Sequence, residues 1–105
     1  MTTIQIWVQK KDDMSDEDFR SYWLEKHAPI ARDGYQHLRR YEVKFVTRVP
    51  EGQQRPFDGI ATLSWDDRDG FKADMASEAG AAGTEDLKSF AKSFGLLFVE
   101  EESVV

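Results

Sequence analysis

The feature that most limits the fold of this chain is a switch of hydrophobic period, repeated along its length. Thr3–Lys10 alternates residue by residue, with Ile4, Ile6 and Val8 on one side and Gln5, Trp7 and Gln9 on the other. A period of two with β-branched residues marks a strand. After a polar turn at Lys11–Met14 the period lengthens, and Phe19, Tyr22, Trp23, Lys26, His27 and Ile30 fall on one face of a helix. Ser15 opens that helix as an N-cap, with Asp18 three residues on, and Asp16, Glu17 and Asp18 suit the positive end of its dipole. Pro29 lacks a backbone donor and disfavours helical geometry at Ala28. A kink or stop is expected there, with His27 in or near the last turn and Gly34 as a second stop.

The period returns to two in Leu38–Val49, where Tyr41, Val43, Phe45 and Thr47 oppose Glu42, Lys44, Val46 and Arg48. Pro50–Pro56 reads as a loop and Phe57–Trp65 as a third strand, the pair suggesting a hairpin. Asp66–Gly70 caps a helical segment with Phe71, Met75 and Ala79 on its inner face. The run "AGAAG", Ala79–Gly83, predicts a break, followed by a restart at Thr84 with Leu87, Phe90, Ala91 and Phe94 at helical spacing. Gly95 is the expected stop and Leu96–Glu101 the last strand. The order β-α-β-β-α-β over 105 residues fits one domain, residues 1–105. Its fold class is α+β, ferredoxin-like, with a four-stranded antiparallel sheet carrying both helices on one face. Trp7 and either Ala61–Leu63–Trp65 or Ile60–Thr62–Ser64 must then face away from the helices. Monomers avoid so large an apolar patch, and a two-fold sheet-on-sheet contact would cover it, so a homodimer is expected.

Charge and composition exclude several classes. A net charge of −6, with acids clustered near 12–18, 66–69 and 100–102, repels a phosphate backbone, so no nucleic-acid partner is expected. Nor is a membrane partner: there is no basic patch, and no apolar run approaches the ~20 residues of a span. The N-terminus lacks the pattern of a signal peptide, which points to a cytoplasmic protein. With no cysteine there is no disulfide and no thiolate chemistry. No metal site is expected, because His27 and His37 lie on different elements without a ligand spacing. No phosphate loop, dinucleotide fingerprint or nucleophile elbow is present, so no cofactor is expected.

The segments "FRSYWLEKHAPIARD", "LRRYEV", "FDGIATLSWDDRDGFKA" and "LLFVEE" together resemble the EthD family of dimeric α+β-barrel proteins. The most specific part is the set Phe19, Tyr22, Trp23, His27 and Pro29, with Asp58–Gly59 opening the third strand. The resemblance implies a ferredoxin-like subunit whose sheet joins its twin's in an eight-stranded barrel, with a pocket between sheet and helices in each subunit. Its relatives include cofactor-free lactone isomerases, polyketide or fungal-pigment cyclases and dehydratases, and proteins that accompany an ether-degrading oxygenase. In the enzymes the histidine matching His27 acts as a pocket acid or base. Some isomerases pair it with a cysteine, which this chain lacks, and the asparagine used by related anthrone oxygenases is also missing.

The candidate catalytic residues are therefore His27, Tyr22 and Tyr41. Imidazole gives and takes protons near neutral pH, and a phenol can donate to a substrate carbonyl or enolate. The plainer alternatives are a half-buried helical histidine bonded to a carbonyl, and core aromatics. Trp23, Phe19, Trp65 and Asp58 complete the candidate substrate-binding set. The aromatics equally suit packing, and Asp58 suits turn formation or the orienting of a histidine. These readings lead to a cofactor-free lyase, cyclase or isomerase acting on a small aromatic, polyketide-like or lactone substrate. The alternatives are a non-catalytic metabolite-binding or accessory protein and, last, a cofactor-independent monooxygenase.

Overall fold

The computed structural model describes residues 1–105. Strand β1 (Thr2–Lys10) leads into α1 (Asp16–Tyr22), a π-helical segment (Trp23–His27) and α2 (Ala28–Gly34). Then follow β2 (Leu38–Phe45), β3 (Gly59–Trp65), α3 (Arg68–Ala76), α4 (Glu78–Phe90) and β4 (Ala91–Val99). The sheet runs β2-β3-β1-β4 with every pairing antiparallel, which is the ferredoxin-like α+β arrangement. The principal extents, 42 × 36 × 18 Å, leave room for one sheet and one helical layer and nothing on the far face.

Register decides which side chains meet the helices. Ile4 pairs with Leu63 and Ile6 with Ala61, while Tyr41 and Val43 of β2 stand opposite Leu63 and Ala61 in turn. These residues, with Val8 and Trp65, form the sheet side of a core closed by Phe19, Trp23, Leu87 and Phe90. Of the two sets offered by β3, then, Ala61–Leu63–Trp65 faces inward. Trp65 is fully buried and donates its indole N–H to Asp74 at 2.7 Å. Trp7, Ile60, Thr62 and Ser64 lie on the uncovered face, where the hydroxyls of Thr3 and Ser64 pair at 2.9 Å.

Ser15 caps α1 as expected, its hydroxyl accepting the Asp18 N–H at 3.0 Å. Pro29 does not stop the helix. The preceding turn widens instead, and the Ala28 N–H reaches back five residues to the Trp23 carbonyl. The wider turn absorbs the ring and the missing donor of Pro29, which becomes an early residue of α2. His27 closes the widened turn.

The Ala79–Gly83 run does not break the second helical segment either. The break comes earlier, at Ser77, which accepts the Gly80 N–H at 3.1 Å and donates to the Asp74 carbonyl at 2.6 Å. Gly80 and Gly83 are buried helical residues, required by close packing rather than by a turn. A Cβ on Gly80 would lie 2.3 Å from the Asp74 carbonyl oxygen, and one on Gly83 would lie 2.9 Å from the Tyr35 hydroxyl. Nor does α4 run to Gly95: it ends at Phe90 and β4 begins at once. Phe94 is a strand residue opposite Val8, and Gly95 sits under the Trp7 indole, 2.5 Å from Nε1 for any added Cβ. The hairpin strands are shorter than their alternation suggests, β2 ending at Phe45 and β3 starting at Gly59. No helix is long and apolar enough to cross a membrane.

Helix propensity alone would make Gly80→Ala stabilising by up to about 1 kcal/mol. The clash with two backbone carbonyls reverses that sign. The variant should lose about 1–3 kcal/mol in urea unfolding monitored by circular dichroism.

Candidate active site

Beneath the sheet, between its inner face and the helices, lies a cavity of about 150 Å³. Trp23, His27, Ile30 and Ala31 line it from the first helical segment and Met75, Thr84 and Leu87 from the second. Ile4, Ile6, Ala61 and Leu63 form its floor, and Phe94 and Leu96 its β4 side. The lining is mostly hydrocarbon. The polar groups brought to it are the His27 imidazole, the phenols of Tyr35 and Tyr41, the Trp23 indole and the Thr84 hydroxyl, which is engaged with the Gly80 carbonyl.

His27 is held by a residue 59 positions away. Its Nδ1 lies 2.8 Å from Asp86 Oδ2 on α4, and Tyr22 donates its phenolic O–H to the other oxygen, Oδ1, also at 2.8 Å. The imidazole side chain is 12% exposed and the carboxylate 19%. Asp86 belongs to a shallow outer groove shared with Lys11, Glu85 and Lys88 and does not line the cavity. His27 lines the cavity with Nδ1 engaged by Asp86, so Nε2 is the ring nitrogen left without a protein partner. Phe90 packs 4.9 Å from the ring and Trp23 stands edge-on at 6.2 Å. Burial in these surroundings pushes the imidazole below its ordinary pKa. The hydrogen bond and charge of Asp86 pull it back only partly. His27 is thus neutral at neutral pH.

Tyr41 is the second polar wall. The Trp23 indole N–H donates to its oxygen at 2.9 Å, so the phenol's own proton is free to donate elsewhere. Burial pushes this phenol up to about 12. At neutral pH it therefore keeps its proton. Tyr35, which the sequence reading did not select, adds a second phenol raised by burial and by the nearby charge of Asp74.

The other candidates stand elsewhere. Tyr22 meets Asp86 outside the cavity. Phe19 is buried among Trp23, Phe45 and Phe90, and Trp65 packs edge-on to Phe71 at 5.0 Å; neither lines the cavity. Asp58 accepts the Lys10 N–H at 2.8 Å and the Arg55 guanidinium at 3.2 Å, tying the β2–β3 connection to β1, and touches no histidine. No group of three or more histidine or carboxylate side chains is placed to hold a metal ion. Asp86 itself was legible only indirectly, as the residue four before buried Phe90 and so on the same helical stripe.

A ferredoxin-like subunit with an apolar cavity between sheet and helices, reached by one imidazole, is the class of protein that fold and site define. The EthD domain profile matches residues 11–93, and the chain belongs to that family. No curated protein matches it. Among solved structures, an ethyl tert-butyl ether D (EthD) family protein from Bacillus halodurans C-125 superposes with a TM-score of 0.79 at 24% identity, covering 97% of this chain and 100% of that one. HapK from Hahella chejuensis gives 0.73 at 18% identity over 100% and 96%. A dimeric protein of ferredoxin-like fold from Bacteroides fragilis NCTC 9343 gives 0.67 at 14% over 95% of each. At these identities the likeness is one of fold.

The depressed imidazole pKa carries a stability consequence. Below about pH 6.5 the unfolded chain takes up a proton at His27 that the folded chain resists. Stability should be full above that pH and fall on acidification until the folded-state value is passed. Urea midpoints measured from pH 7.5 to 5 should show this decline, and His27→Gln should flatten it.

Proposed function

We propose that the protein is a cofactor-free lyase, cyclase or isomerase that moves a proton on a small aromatic, polyketide-like or lactone substrate. The observation that carries this reading is a half-buried imidazole lining an apolar cavity that also holds a phenol whose own proton has no acceptor. His27 Nε2 takes a proton from a carbon next to a carbonyl, and the C–H electron pair moves into an enolate. Tyr41 donates its O–H to the developing enolate oxygen, where a donor in a dry site acts most strongly. The imidazolium then returns the proton, either to a different carbon, which isomerises the substrate, or to a departing hydroxyl, which leaves as water. Tyr35 offers a second donor for a substrate oxygen.

The same inference extends to assembly. The uncovered face carries Trp7 and Ile60, and on the same side β4 exposes Leu97 at 52%. A second copy of the chain would cover this surface, as the dimeric Bacteroides fragilis relative illustrates. Light scattering should therefore give a dimer, and Leu97→Lys should shift it to the monomer.

With a panel of lactones and enolisable aryl ketones, deuterium exchange at the α-carbon reports the proton step without knowledge of the natural product. His27→Ala should lose about 10²–10⁴-fold in exchange with its fold intact by circular dichroism, and Tyr41→Phe about 10²–10³-fold. Full exchange in His27→Ala would overturn the reading. Ligand binding undisturbed by His27→Gln, with no exchange in the parent protein, would point to a cavity that only holds a metabolite.

A further inference from the structure

We infer that Asp86 and Tyr22 form a positioning pair that fixes the tautomer of His27, keeping the proton on Nδ1 and the lone pair on Nε2 in the cavity. The inference rests on the reading of His27 as the proton-moving group and adds two residues to it, neither of which touches the cavity. A carboxylate offers acceptors only. Both oxygens of Asp86 face donors at 2.8 Å: Oδ2 faces Nδ1 and Oδ1 the Tyr22 hydroxyl. A neutral imidazole beside Oδ2 must therefore carry its hydrogen on Nδ1. The free ring has no such constraint, so the selection is made by α4 and not by the histidine.

Tyr22 has its own part. Asp86 lies on an open groove, and a carboxylate there would be free to rotate into water. The phenol, five residues before His27 and on the preceding helix, clamps the second oxygen so that the first stays aimed at Nδ1. The widened turn lies between Tyr22 and His27, whose donors meet on one carboxylate. The arrangement explains why a phenol in the most specific stretch of the sequence sits outside the cavity.

The groups that bear on the imidazole are few. Asp86 faces it from α4 and Tyr22 from α1. Tyr35 and Tyr41 share its cavity, and Lys11, Glu85 and Lys88 rim the groove behind Asp86. Of these only Asp86 bonds to the ring. Its removal should therefore have a direction that distinguishes positioning from simple support. With the carboxylate gone, burial alone acts on the ring, and the His27 titration midpoint should fall below that of the parent protein. If Asp86 merely props the helices apart from water, its loss would hydrate the ring and raise the midpoint towards the ordinary value near ~6.5.

Long-range proton–nitrogen correlation NMR of the intact protein reads both the tautomer and the midpoint, without any substrate. In the parent protein Nδ1 should be protonated and Nε2 bare above the midpoint. Asp86→Ala should populate the Nε2–H form and lower the midpoint. Tyr22→Phe should do the same more weakly, and Asp86→Glu should restore the parental tautomer in part. A proton on Nε2 in the parent protein, or a raised midpoint in Asp86→Ala, would overturn the inference. Should Asp86→Ala fail to fold, Tyr22→Phe carries the test, and an unchanged tautomer population there would remove Tyr22 from the pair. Since none of these spectra needs turnover, a protein that catalyses nothing could still confirm the tautomer, and an active one could still refute it.

Discussion

A buried indole must find an acceptor for its one N–H, and most of this structure follows from where Trp23 finds it. Trp23 is 1% exposed, at the centre of the helical layer, with Phe19, Phe45, His27 and Phe90 all within 6.2 Å between ring centroids. Its N–H crosses to the sheet and ends on the Tyr41 oxygen. That one bond joins the helical layer to β2 and satisfies the indole. It also leaves the phenolic proton pointing away from its neighbour. A leucine at position 23 would fill part of the space but would not set the direction of Tyr41. Packing and site geometry here are a single constraint, since the ring that fills the core also orients the donor.

The widened turn at Trp23–His27 is the second element on which the site rests. A regular helix with proline at position 29 would leave the Glu25 carbonyl facing the pyrrolidine ring, with strain spread over the last turn. Carrying the Ala28 N–H back five residues to Trp23 moves the defect to the segment that holds two of the cavity-lining rings, Trp23 and His27. Such insertions rotate the residues that follow relative to those before, and they recur at functional positions for that reason. Here the turn separates Tyr22, which looks outward to Asp86, from His27, which looks both ways.

How much of this the sequence reveals depends on the range of each interaction. Alternation at Ile4–Ile6–Val8, the Ser15 cap and the element order are local, and local rules find them. The hydrophobic stretch that contains His27 is also local, so that residue stands out at once. Failures begin where a distant partner overrides a local preference. "AGAAG" reads as a break because two glycines in five residues weaken a helix. They are there because the Asp74 carbonyl and the Tyr35 hydroxyl approach the backbone too closely for any side chain. Phe94 continues the spacing of Leu87 and Phe90 as well as it begins the alternation of Phe94, Leu96 and Phe98, and only the β1 pairing chooses between them. Asp74 and Asp86 read as two more acids in an acidic chain. Buried Asp74 accepts from Trp65 and from the backbone of Gln36 and His37, and Asp86 accepts from His27 and Tyr22. No periodicity marks a carboxylate, such as Asp86, whose donors lie 59 and 64 residues away.

The two carboxylates show how an acidic chain can keep its cavity free of fixed negative charge. Most of its acids lie on the surface, where they set the net charge and little else. Asp74 is 2% exposed and holds the turn between α2 and β2, and with it the position of Tyr35 at one end of the cavity. Asp86 stands at the rim and holds His27 at the other. Neither carboxylate lines the cavity, so no fixed carboxylate charge faces its interior. An enolate formed there would meet a neutral ring turned imidazolium and two phenols, with no anion opposing it. Under the proposed proton transfer, carboxylates set behind His27 and Tyr35 keep their orienting power without their repulsion, and that separation would let so sparse a site favour a developing negative charge.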